Sequence, residues 1–349
     1  MSKSSSTNNA TDVTAMTRKL LSAAWGVPVE VKAAGGLGGS SRSNVQRFSL
    51  IGAPADKPSS VVVKQALSDG DTSYDPDAGI ASWRHFNEWA TLQFLTDLAP
   101  NDPPCPRFIL GDRHEGVVIM EDLGEVTQLD HLLLRQDAEA AREGLTALMT
   151  ALGLMHGLTV GRKSAFDRLR ADLNSWRPKF NQEDPVTAIH RRFVELSKGV
   201  EIEVDASVED DIASLGSVYE PDNPFMALVH RDPCPDNCLM LNNQVKLIDF
   251  EFAEFRHALM DGVYGLVHFP TCWCVNRVPD DVVNAMSVSN HGKHKPCESR
   301  RCMCHPGSGK RHYGAHLLWF GRPGDRPLVR FPVRFARHAR CLGVLSGPG

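Results

Sequence analysis

The chain contains no run of eighteen apolar residues, which excludes a simple membrane-spanning helix. Its opening segment, MSKSSSTNNATD, lacks the basic and apolar regions of a secretory signal, so a cytoplasmic location is the expectation. Cysteine is present nine times, an odd number, and no complete disulfide framework is assumed. Reduced thiols fit the cytoplasm, and Cys272 and Cys274, which flank Trp273 in an apolar segment, are expected to be core thiols. Acids are scarce only at the end. Residues 287–349 carry 12 Lys and Arg against 2 acids, whereas residues 1–286 carry 26 against 40, for a net charge of -4. A length of 349 residues suits one two-lobed unit or two ordinary domains.

What is present centres on Leu228 to Phe250, LVHRDPCPDNCLMLNNQVKLIDF. Leu239 to Leu241 and Val245 to Ile248 form short apolar strands, and Asn242 with Asn243 suits a two-residue turn because asparagine tolerates positive φ. Counting back from that turn sets Asn237 opposite Ile248 and Asp236 opposite Asp249. Asn237 and Asp249 are then diagonal neighbours, about 7 to 8 Å apart at the backbone, and both offer the hard oxygen that magnesium prefers. Asp232 lies on the loop leading in, stiffened by Pro233 and Pro235, where a carboxylate can take the proton of an attacking hydroxyl.

Upstream, a polar start over residues 1–12 is expected to be disordered, and Val13 to Ala24 shows helical spacing of apolar residues. Val27 to Val31 and Val45 to Leu50 are expected strands on either side of GGLGGSSRSN, Gly35 to Asn44. Such glycines either let backbone amides approach phosphate oxygens or form a flexible hairpin loop. Lys64, in the β-branched run Ser60 to Ala66, either faces water from an edge strand or offers its ammonium to an anion in a cleft. Ala81 to Leu98 repeats apolar residues at Trp83, Phe86, Ala90, Phe94 and Leu98, a helix with one buried face, and Glu88 in its middle can reach Lys64 if the helix packs behind that strand. Val117 to Met120 ends in Glu121, Asp122, Leu123 and Gly124, a hinge to a second lobe. Ala138 to Leu158 is a helix burying Leu145, Leu148, Met149, Leu152 and Met155, with His156 packed or capping at its end.

These parts in this order, over roughly Leu20 to Met286, resemble the aminoglycoside phosphotransferase and choline kinase group. The resemblance implies an α+β, two-lobed protein-kinase-like fold: a small N-terminal antiparallel-sheet lobe (13–124) and a larger, mainly helical C-terminal lobe (125–286). It implies ATP and Mg2+, and transfer of the γ-phosphate to a small-molecule hydroxyl such as an aminoglycoside, amino alcohol or sugar. Gly36, Gly38, Gly39 and Ser40 would cover the phosphates, Lys64 would hold the α- and β-phosphates, and Glu88 would orient Lys64. Glu121 and Leu123 would meet the adenine, Asp232 would be the catalytic aspartate, and Asn237 and Asp249 would bind magnesium. His230 would be a structural member of the loop, braced by Asp261 in HALMD.

Three departures accompany the resemblance. Asp249 is followed by Phe250 and Glu251 rather than by Phe and Gly, Arg231 follows His230 where the antibiotic kinases usually have glycine, and no activation loop ending in Ala-Pro-Glu is present, which argues against a protein substrate. Helical character fades after Val283, before the second lobe would be complete. A catalytically inert protein with an incomplete lobe therefore remains an alternative, as does a binding module acting through the basic end. For residues 287–349, an ending replaced by a reading-frame shift competes with zinc binding at Cys297, Cys302, Cys304 and His305, near His291 and His294, and with attachment to nucleic acid or an anionic membrane. A solvated, disordered or non-native tail with no nucleic-acid partner is the expectation.

Overall fold

The computed structural model describes residues 6–40, 42–67, 74–135, 137–178, 185–201, 205–220, 223–275 and 277–291. The expected tail, with Cys297, Cys302, Cys304, His305 and His294, therefore lies outside the described residues except for its start.

The first lobe is a five-stranded antiparallel sheet with two helices. In chain order it comprises α1 (Ser6–Trp25), β1 (Glu30–Ser40), β2 (Ser43–Ile51), β3 (Ser60–Ala66), α2 (Ile80–Leu98), β4 (Phe108–Asp112) and β5 (Val117–Glu121), with strand order β1-β2-β3-β5-β4. Strand alternation explains the position of Lys64. Val61 and Val63 point to one face, where they pack with Leu21, Phe48, Val117 and Ile119 in a core that includes α1. Val62, one residue out of phase, joins Phe86, Trp89, Val118 and Met120 on the face covered by α2. Lys64 is in phase with Val62, so the same period carries its side chain toward α2 and the interior of the cleft.

Three expectations for this lobe change. Helix α1 begins at Ser6, inside the segment expected to be disordered. The strand expected from Val27 to Val31 begins only at Glu30, and it is one element with the glycine stretch after it, because β1 runs through the glycines and stays paired with β2. Its register slips between Ala33 and Gly35 and again between Gly36 and Gly39, and positive φ at Gly35 (142°) and Gly38 (101°) supplies the backbone those irregularities need. Helix α2 is buried on more than one face. Trp89 stacks on Phe108 on the sheet side, while Arg170 of the second lobe donates to Asn87 and to the Trp83 carbonyl on another.

The second lobe contains β6 (Thr127–Gln128), α3 (Leu129–Leu133), α4 (Ala138–Thr159), α5 (Lys163–Leu173), α6 (Pro185–Gly199), α7 (Ala206–Ser214), β7 (Met226–Val229), β8 (Cys238–Leu241), β9 (Gln244–Leu247), β10 (Glu254–His257), α8 (Leu259–Gly262) and α9 (Asp280–His291). The Asp137 side chain caps α4 by accepting from Ala140 N at 3.0 Å, and Leu145, Leu148, Met149, Leu152 and Met155 are all buried in the main core. Strands β6, β8 and β9 form one small sheet, and β7 pairs with β10 in another. The chain stays helical past Val283, where periodicity alone predicted it to fade: α9 runs to His291 and buries Met286 completely against α4. The described residues form the expected α+β arrangement of two lobes, an antiparallel-sheet lobe and a mainly helical one, with the cleft between β3, α2 and the β8–β9 hairpin.

Candidate active site

The β8–β9 turn is the two-residue type that asparagine permits. Asn242 and Asn243 have φ of 50° and 61°, Leu241 pairs with Gln244, and Cys238 pairs with Leu247. The pairing extends one step further, with Ile248 N donating to the Asn237 carbonyl at 3.0 Å. Asn237 and Asp249 thus leave the open end of the hairpin side by side. Asp249 and Arg231 both adopt left-handed backbone, with φ of 65° and 68°. Side chains tolerate that region at a cost of roughly 1–3 kcal/mol each, and such residues concentrate where geometry matters to function.

One buried carboxylate holds the loop that leads in from β7. Asp261, 1% exposed, accepts from His230 N at 2.6 Å and Arg231 N at 3.0 Å, and the His156 Nε2 lies 3.1 Å from it. The His230 ring is fully buried against Phe250, and its Nε2 donates to the Ile248 carbonyl at 2.9 Å, joining the loop to the hairpin. Asn237 adds a second tie, its amide nitrogen donating to the Asp232 carbonyl at 3.0 Å.

The two lobes meet at Lys64. Its Nζ donates to Glu88 Oε2 at 3.1 Å and to Asp249 Oδ1 at 2.6 Å, so residues 24 and 185 positions away in sequence converge on one ammonium. Burial alone would lower the lysine's pKa, but the two carboxylates outweigh it and hold Lys64 protonated above its ordinary value. Burial raises Glu88, whereas Lys64 overcomes burial at Asp249 and lowers it. Asp232 is raised, first by burial and then by the charges of Asp236 and Asp249.

Magnesium fits the donors present. The nitrogen of the Asn237 amide is committed to Asp232, which leaves its oxygen for a cation, and the Asp249 side chain is 40% exposed. Two oxygen donors suit a small ion that keeps several waters. Among the described residues, no group of three or more His, Cys, Asp or Glu is placed to hold a metal ion.

A model of the phosphotransferase enzyme family matches residues 87–280, more than half of the chain. The chain belongs to that family. Similar solved structures include a choline kinase from Cryptosporidium parvum (13% identity, 82% of this chain and 79% of that one, TM-score 0.46). A putative aminoglycoside phosphotransferase from Ralstonia eutropha (15%, 82% and 80%, 0.44) and a macrolide 2'-phosphotransferase from Brachybacterium faecium (12%, 80% and 82%, 0.42) are also similar. A search of curated proteins finds no match.

In this phosphotransferase family member the remaining expected residues fall at the rim. Gly36 and Gly38 lie in β1 with open space where a side chain would project, and Gly39 and Ser40 close the strand opposite Asn44 and Ser43. Glu121 does not offer its carboxylate to the cleft. That group accepts from Arg107 NH1 at 2.5 Å and from Arg107 N at 3.1 Å, and Glu121 N donates to the Arg107 carbonyl. Asp122 is held by Arg47 Nε at 3.0 Å, and Arg47 NH2 also donates to the Gly124 carbonyl at 2.6 Å. Nothing in the sequence singled out Arg47, a lone cation in a strand.

The cysteine expectation is corrected. Cys272 is joined to Cys234 in a disulfide, 38 residues apart, while Cys105, Cys238 and Cys274 are free among the described residues. Folding brings the segment after α8 onto the loop carrying Asp232, a long-range contact no local pattern announces. Trp273, beside that bond, is 68% exposed, and its indole donates to Asp236 at 3.3 Å. No single described helix is long and apolar enough to cross a membrane.

Proposed function

We propose that the protein is an ATP-dependent, magnesium-assisted kinase that transfers the γ-phosphate to a hydroxyl of a small molecule of the aminoglycoside, amino alcohol or sugar kind. The observation that carries this reading is the ammonium of Lys64 held between Glu88 and Asp249, with Asp249 beside Asn237 and the Asp232 loop leading in. Lys64 supplies a fixed positive charge to the nucleotide phosphates, and the backbone of β1 around Gly36, Gly38, Gly39 and Ser40 closes over them. Asn237 and Asp249 hold magnesium, which neutralises phosphate charge when bound. Asp232 accepts the proton of the acceptor hydroxyl and aligns its oxygen, while His230 and Asp261 keep that loop in place. Residues 13–124 serve as the nucleotide lobe and 125–286 as the acceptor lobe.

The test combines binding with turnover. Native protein is expected to gain thermal stability from ATP only when magnesium is present, and to phosphorylate at least one alcohol in a hydroxylated panel. Asp232→Ala should abolish most turnover and leave nucleotide affinity near native, whereas Asp249→Ala should weaken magnesium-nucleotide binding itself. Native turnover in Asp232→Ala would refute the assignment.

A further inference from the structure

Behind the Lys64 site lies a buried cation that the proposed chemistry does not use. Arg170 of α5 is 2% exposed, and its described acceptors are all neutral: Asn87 Oδ1 at 2.9 Å, the Asn174 carbonyl at 2.5 Å and the Trp83 carbonyl at 3.3 Å. Its guanidinium also lies 5.6 Å from the centre of the Phe86 ring. Burial lowers its pKa to about 9, with a further contribution from Arg177. Burying a guanidinium among neutral groups is unfavourable, and a hydrophobic residue would join α2 to α5 more simply.

The network has a direction. Arginine only donates, so the Asn87 oxygen must face Arg170 and its amide nitrogen must point the other way. That nitrogen donates to the Glu251 carbonyl at 3.1 Å. Asn87 is the neighbour of Glu88, and Glu251 stands two residues beyond Asp249, so the bond joins the two segments whose carboxylates share Lys64. The side chain of Glu251 is engaged separately, by Arg42 at 3.4 Å.

We infer that Asn87 and Arg170 are positioning residues for phosphoryl transfer, holding the Asp249–Glu251 turn in register with α2 and thereby fixing the separation of the Glu88 and Asp249 carboxylates around Lys64. The inference rests on the proposed kinase activity. Arg170 orients the Asn87 amide, the amide fixes the Glu251 backbone, and neither residue touches nucleotide or acceptor.

Asn87→Asp separates the two bonds, because a carboxylate still accepts from Arg170 but cannot donate to the Glu251 carbonyl. Two readouts apply: amide hydrogen exchange of residues 249–253 in nucleotide-free protein, and kcat and KM for magnesium-ATP. The variant should keep native exchange in α5, exchange faster at 249–253, and lose roughly 10- to 100-fold in kcat/KM, the range typical of partners one shell removed from a ligand. Arg170→Lys, which keeps the charge and loses the planar fork, should act in the same direction and serves if Asn87→Asp folds poorly. Native exchange at 249–253, or faster exchange with unchanged kcat and KM, would overturn the inference. A native enzyme that neither binds magnesium-ATP nor turns over overturns the proposed function as well, and the native arm alone reveals that.

Discussion

Replacing Asp261 by Asn removes one charge without changing shape, and the donors packed around the carboxylate set the cost. The native carboxylate accepts from His230 N and Arg231 N and lies against His156 Nε2, with 1% of the residue exposed. An asparagine can turn its oxygen to one side only, so its NH2 confronts at least one buried N–H donor. Each hydrogen bond to a charged acceptor contributes about 1.5–3 kcal/mol, and a buried donor left unmet costs about 1–3 kcal/mol. The expected loss is therefore about 3–5 kcal/mol, in line with breaking a buried ion pair from one side. At roughly 2 °C per kcal/mol for a chain of this size, the melting temperature should fall by about 6–10 °C. The pH dependence carries a definite sign. Burial raises the Asp261 pKa, but the His156 ring and the His230 amide outweigh it, so the folded value lies below the unfolded one of about 3.9. Its stabilisation is complete above that value and is lost as pH falls through the depressed folded pKa. Differential scanning calorimetry should show the full gap between native and variant at pH 7 and a shrinking gap in acid. A variant melting within about 1 °C of native at pH 7 would contradict the reasoning.

Other consequences can be measured separately. Because Asp232 must be ionised to take a proton and its pKa in the free protein is raised by burial, then by Asp236 and Asp249, kcat/KM should fall with decreasing pH at a limb above the ordinary aspartate range; Asp236→Asn should move that limb to lower pH in a profile of kcat/KM against pH. Cys272→Ser opens a cross-link of 38 residues, worth roughly 4 kcal/mol by chain entropy, and denaturant unfolding should show that loss under oxidising conditions but little difference from reduced native protein. Gly111→Ala places a Cβ 2.6 Å from the Trp89 ring, an overpacking expected to cost about 1–3 kcal/mol, visible as a lower unfolding midpoint.

Much of this arrangement was legible in the chain because it follows from short periods. The pair Asn242 and Asn243 defines a turn, the turn defines a register, and the register sets Asn237 beside Asp249. The run from Ser60 to Ala66 alternates, so Lys64 follows Val62 to the α2 side, where Glu88 meets it. What local pattern missed depends on distant or neutral partners. The Cys234–Cys272 bond needs a fold to bring its ends together, and Arg170 sits on a short amphipathic helix where an arginine ordinarily faces water. The glycines of β1 read as an open loop because their flexibility is local, whereas pairing with β2 is what extends them. Helix α9 outlasts its visible periodicity because Met286 finds a partner in α4.

The two-residue hairpin turn also limits how this stretch of chain can change. Side chains on a strand alternate sides, so adding or deleting one residue within β8 or β9 would rotate Asn237 or Asp249 to the opposite surface. A substitution there leaves the register alone, whereas an insertion changes which side chains meet. Length variation among descendants of this sequence should therefore collect elsewhere, while the count from Asn237 to Asp249 stays fixed.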